Sequence, residues 1–147
     1  MTAIFEALPA LAAYQPSLLA LALLCIAVLI QAVLTAPLAF VTGDEEPGVA
    51  LKGDHSKRSF RVIRTYQNSV ENLPAFAATL FVAIIAGVDT GWVNWLAGIH
   101  VASRLLFWVV YYSGKGATAG GPRTFAFLGG MLTNLILAGM TVYALVS

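Results

Sequence analysis

The chain has 147 residues, of which 59% are hydrophobic and only 10% charged, with a mean hydropathy of +0.83 and a formal net charge of +1. Against the roughly 25% of charged residues in an average soluble domain, this deficit excludes an ordinary water-soluble fold. A balance so close to neutral also excludes a partner recruited by bulk charge, nucleic acid above all. The single cysteine, Cys25, excludes an intrachain disulfide, and within its apolar run it reads as a small buried hydrophobe.

In chain order, the N-terminal stretch carries Glu6 as its only charge and no basic segment, so the first apolar run is expected to be a retained helix rather than a cleaved signal. That run spans about 17–41, with Gln31 and Pro37 as its awkward members. A second covers about 59–88, a third about 92–113 and a fourth about 124–146. Crossing a bilayer core takes roughly 20 helical residues, and each run is long enough, the second only if its polar first half is helical too. In hydrocarbon the backbone must bond to itself, which leaves helices or a closed β-barrel. "LLALALLCIAVLI" does not alternate as barrel strands do. The expected fold is an all-α, four-transmembrane-helix antiparallel bundle forming one domain over residues 1–147.

The connections differ in kind. "VTGDEEPGVALKGDHSKR" is the one substantial polar loop. "AGVDTG" reads as a tight turn through Gly87, Asp89 and Gly91. "SGKGATAGGP" is rich in glycine, and its Pro122 suits the first turn of the fourth helix. The eight basic residues, Lys52, Lys57, Arg58, Arg61, Arg64, Arg104, Lys115 and Arg123, lie in or within a few turns of the first and third connections. The positive-inside rule then puts those two connections in the cytoplasm and both termini on the opposite side, with Trp92 and Trp95 as interfacial anchors.

Polar residues interrupt the second run in a regular way. Arg61, Arg64, Asn68 and Glu71 stand 3, 4 and 3 apart, the spacing of helical neighbours on one face. The third run offers Arg104, Phe107, Trp108 and Tyr111 at similar spacing, and Arg123 opens the fourth. Two readings stand side by side. Arginines near a helix end can snorkel to headgroups, Glu71 can pair with Arg104 or Arg64, and Asn68 can join two helices. Ionisable groups inside a membrane are equally candidates for function. Guanidinium groups hold carboxylates bidentately and a carboxylate holds an ammonium, so a peptide-like molecule with two carboxylates and one amine fits the inventory. Glutathione has those groups and a thiol. His55 reads as a solvated loop histidine. His100 has no second ligand at metal spacing, so no metal site is expected.

"RTYQNSVENLPAF" resembles the signature of the MAPEG family, the membrane-associated proteins in eicosanoid and glutathione metabolism, through Arg64, Asn68, Glu71, Pro74 and Phe76. "ASRLLFWVVYYSG" and "PRTFAF" resemble later family segments in the same order, so the likeness runs along essentially the whole chain. It implies a homotrimer that binds glutathione between neighbouring subunits near the cytosolic face. Carried over by position, it implies Arg64, Asn68, Glu71, Arg104 and Tyr111 as glutathione ligands and Arg123 as the cation that stabilises the thiolate. Phe107 stands where some family enzymes have a tyrosine. The implied activity is a glutathione-dependent transferase or peroxidase acting on lipophilic electrophiles or hydroperoxides. The alternatives are a non-catalytic lipid-binding scaffold of the same family and a small ion-coupled exporter using Glu71.

Overall fold

The computed structural model describes residues 6, 8–41, 53, 55–115 and 120–147. After a single helical turn, Pro9–Ala12, come four long helices: α1 (Gln15–Val41), α2 (Arg58–Ile85), α3 (Thr90–Tyr112) and α4 (Pro122–Val146). Each is long and apolar enough to cross a membrane, and no strand occurs among the described residues. Most of the first connection, including the acidic stretch Asp44–Glu46, and residues 116–119 of the third lie outside the described residues.

The helix limits have local causes. α2 stops at Ile85 because Gly87 adopts φ +71° and closes a Schellman turn. Its N–H bonds to Ile84 O at 3.2 Å, while the Val88 N–H reaches Ala83 O at 3.1 Å. Asp89 then caps α3 by accepting from the Trp92 N–H at 3.1 Å. Gly91, expected in the turn, lies inside the first turn of α3. A Cβ there would stand 3.1 Å from the Asp89 carboxylate, so glycine leaves room for the cap. α4 begins at Pro122 itself, whose fixed φ suits the first helical position and whose missing N–H is no loss there. Pro37 and Pro74 both lie within helices that continue past them. Pro74 leaves the Val70 carbonyl without its usual i+4 donor.

The main core lies in the half of the bundle nearest the Asp89 turn. Phe76, Leu80, Ala83, Val93, Ala97 and Leu137 are almost inaccessible there, with Cys25 packed partly buried alongside. A smaller cluster of Phe107, Tyr111 and Ala126, backed by Phe127, occupies the other half. Many buried hydroxyls bond to their own helix: Thr65 to Arg61 O, Ser69 to Thr65 O, Thr133 to Gly129 O and Gly130 O, and Thr141 to Leu137 O. Those hydroxyls therefore leave adhesion between helices to other contacts, close packing among them. Gly130 lets α4 approach α3, since a Cβ there would stand 3.2 Å from Arg104 Cδ and 3.7 Å from Ser103 Cβ. Gly130→Val is expected to cost about 1–3 kcal/mol by overpacking, read as a lower thermal midpoint in detergent.

Polar ties lock the end opposite the long connections. The Tyr14 hydroxyl donates to Val88 O. Asn94 accepts from the Ser17 backbone and hydroxyl and donates to Ala13 O at 2.9 Å. Burial, and then the negative charge of Asp89, raise the Tyr14 pKa above its ordinary value near 10. Because the folded state holds that proton more tightly, the contribution is whole below about pH 10 and is lost as pH climbs through the raised value. Tyr14→Phe is expected to be less stable than the wild type by about 1 kcal/mol at neutral pH. The gap between their melting midpoints should close on the alkaline side.

Candidate functional site

Four segments meet at the end of the bundle that carries the first and third connections. They enclose a cleft of about 360 Å³ lined by His55, Phe60, Arg64, Asn68, Phe107, Tyr111, Arg123, Thr124 and Phe127. α2 supplies Phe60, Arg64 and Asn68 at steps of four, one strip of the helix surface. α3 supplies Phe107 and Tyr111, again four apart. α4 supplies Arg123 and Thr124 from its first turn, and His55 comes from the loop before α2. Among the described residues, two guanidinium groups and no carboxylate line this space, which gives that lining the chemistry of an anion site with an aromatic wall.

The predicted residues separate into three places. Arg64, Asn68, Tyr111 and Arg123 line the cleft. Glu71 stands at its outer lip, its side chain 56% exposed, in an ion pair with Arg64 Nη1 at 3.2 Å. Arg104 is 5% exposed and lies behind Asn68, donating through Nη2 to Asn68 Oδ1, with its guanidinium 5.0 Å from the Phe107 ring centre. Its Nη1 is buried and meets no hydrogen-bond partner among the described residues. No carboxylate lies within ion-pair distance of it there. Asn68 thus both joins α2 to α3 and faces the cleft.

Arg61, which shares the polar spacing of α2, takes a different direction. Its Nη1 donates to His55 O at 2.7 Å and Ser56 O at 2.8 Å, pinning the loop that precedes its own helix. Gly114, at φ +77°, lies beside that guanidinium: a Cβ there would stand 3.4 Å from its central carbon. Arg61→Ala is expected to raise amide hydrogen exchange at residues 55–57 by an order of magnitude or more, with exchange in α3 unchanged.

The pinned loop brings in His55. The Tyr111 hydroxyl lies 3.1 Å from His55 Nδ1, and Arg123 Nη1 lies 3.4 Å from both ring nitrogens and 3.4 Å from the Tyr111 oxygen. Phe60 packs edge-on to the imidazole at 5.2 Å, and Arg123 stands over the Tyr111 ring at 5.2 Å. His55 is half-buried, not the solvated loop histidine expected from its polar surroundings. The signal for it was slight: it lies six residues before an arginine long enough to reach back. Trp108, on the same turn as Phe107, faces away and meets Tyr112 edge-on at 5.7 Å. His100 stacks on Phe76 at 3.9 Å and bonds through Nδ1 to Gly130 O at 2.9 Å. No group of three metal-ligating side chains occurs among the described residues.

The fold and cleft define a multi-pass integral membrane protein with a cationic, aromatic-walled hollow at one end of a helical bundle. The MAPEG family model matches residues 16–143, nearly the whole chain, and the chain belongs to that family. Its function therefore falls within membrane glutathione or eicosanoid metabolism, in a family that holds both enzymes and non-catalytic members. Comparison with individually curated proteins gives no match.

Proposed function

We propose that the protein binds glutathione in this cleft and activates it as a thiolate for attack on a lipophilic electrophile or hydroperoxide. The observation that carries this is the convergence of Arg64, Asn68, Tyr111 and Arg123, from three helices, on one hollow with no carboxylate among its described lining residues. The ligand's carboxylates pair with Arg64 and reach toward the free Nη1 of Arg104. Its ammonium takes Glu71 at the lip. The exposed Arg64–Glu71 pair is itself worth about 0–1 kcal/mol, so a ligand that offers each partner a better counter-charge displaces it at little cost.

Arg123 faces the sulfur. A free thiol titrates near pH 8.5, and a guanidinium lowers that value by stabilising the anion without acting as a base. Arg123 lies in the first turn of α4, so the helix dipole acts in the same direction. A lipophilic co-substrate enters from the bilayer between helices, against Phe107 and Phe127. The open side of the cleft, where Arg64 and Glu71 are exposed, is closed by a neighbouring copy in a homotrimer, with the cleft on the cytoplasmic side. The mass of the detergent-solubilised particle, corrected for bound detergent, tests the trimer.

Titration with glutathione, following the thiolate ultraviolet band, tests the function. Arg64→Ala and Glu71→Ala are each expected to weaken binding by about 10–100-fold, the loss of a charged hydrogen bond. Unchanged affinity in both removes them as ligands. Binding without any thiolate band makes the protein a scaffold.

A further inference from the structure

Resting on the glutathione reading above, we infer that His55 is the terminal acceptor of the thiol proton, which reaches it through the hydroxyl of Tyr111. Arg123 stabilises a thiolate but, as a permanent cation, takes no proton. Asn68, Thr124 and the aromatic residues of the cleft take none either, and the carboxylate of Glu71 lies at the outer lip, outside the lining. The imidazole of His55 is the one nitrogen base among the described residues that line the cleft.

The contacts arrange the relay. A guanidinium only donates, so the Tyr111 oxygen accepts from Arg123 Nη1 at 3.4 Å. The Tyr111 proton is then free to point at His55 Nδ1, 3.1 Å away. Arg61, anchored on the carbonyls of His55 and Ser56, and Phe60, packed against the ring, hold the imidazole in that position. Such fixing is what proton transfer in a small hollow requires.

The step balances. The S–H bond breaks and its electron pair stays on sulfur. The proton joins the Tyr111 oxygen as that hydroxyl passes its own proton to Nδ1. The products are a thiolate facing Arg123 and an imidazolium, with no change in total charge. Among the described residues, the charged groups near His55 are Arg123 on α4 and, on α2, Arg64 across the cleft and Arg61 on the His55 carbonyl, all cations. An imidazolium there is tolerable only while the thiolate is present, so proton uptake and thiolate formation occur together. The imidazolium then gives its proton to water at the mouth of the cleft.

Rapid mixing of the detergent-solubilised protein with glutathione, following the thiolate band, provides the test. His55→Ala is expected to slow thiolate formation by about 10²-fold while glutathione affinity stays within a few-fold of wild type. Imidazole added to the buffer should restore the rate of His55→Ala in proportion to its concentration. Tyr111→Phe should also be slow and should gain nothing from imidazole. A wild-type rate in His55→Ala, or a slow rate that imidazole does not raise, overturns the inference. So does a His55→Ala protein that no longer binds glutathione, since the residue would then be a prop of the cleft. A wild-type protein that fails to bind glutathione brings down the functional reading itself, and this is known before any variant is mixed.

Discussion

Arg123→Ala is expected to lower kcat/KM by about 10²–10³-fold and to abolish the glutathione thiolate band, while glutathione affinity changes by less than about tenfold. The split follows from where the charge acts. On the proposed function, Arg64, Asn68 and Glu71 would meet parts of the ligand that stay the same through the reaction, so their loss would appear in binding. The sulfur changes from a neutral thiol to an anion, and a group that faces only the anion contributes only once it has formed. Arg123 is well placed for this, because Tyr111 and His55 hold its guanidinium at the cleft wall. Arg123→Lys should recover part of the rate, since the charge returns without the planar fork. If Arg123→Ala instead loses binding and rate in equal measure, the residue is an anchor for a carboxylate, and the thiolate needs another stabiliser.

The second large effect has two opposed components. Arg104→Met is expected to stabilise the ligand-free protein by about 1–3 kcal/mol and to weaken glutathione binding by at least tenfold. Arg104 places a full charge inside the membrane-spanning part of α3, with one neutral hydrogen-bond partner among the described residues, Asn68, and an aromatic ring beside it. A charge at such depth costs a few kcal/mol even on insertion scales, and a single amide oxygen offsets only part of that. Methionine has similar length and no charge, so it fills the slot between Asn68, Phe107 and Gly130 without the desolvation cost. A residue kept at the expense of stability needs a use that appears only with ligand, and Nη1, which has no partner among the described residues, supplies one. Melting with and without glutathione separates the two components. A destabilised Arg104→Met with unchanged affinity would make Arg104 a strut of the bundle.

The four helices were legible because a continuous apolar run of 20 or more residues has few other stable forms in a bilayer. Their ends were legible where the chemistry is local, as at Gly87, Asp89 and Pro122. The cleft was legible in part. Arg64, Asn68 and Tyr111 follow from spacing of three and four, but spacing alone does not resolve rotation within a face. At about 100° per residue, Arg64 and Glu71 differ by only about 20° around the α2 axis, which is why they pair. Arg61 and Glu71 differ by about 80°, enough to turn one toward the loop and leave the other at the lip. The depth of Arg104 behind Asn68 depends on how closely α4 approaches at Gly130, and no single-helix pattern carries that. His55 depends on a loop folding back under Arg61. Periodicity has nothing to say about a residue outside a periodic element.

The knot of Tyr14, Ser17, Asn94 and Val88 fixes the start of α1 to the α2–α3 turn, and the cleft lies at the far end of the same bundle. From Ser17 to Val41 the helix is about 36 Å long, so one degree of tilt about the knot moves its other end by roughly 0.6 Å. A bilayer of different thickness imposes tilt on its spans. Anchored in this way, α1 is a lever with its fulcrum on one leaflet, and the thickness of the surrounding lipid sets how far its free end swings in the other.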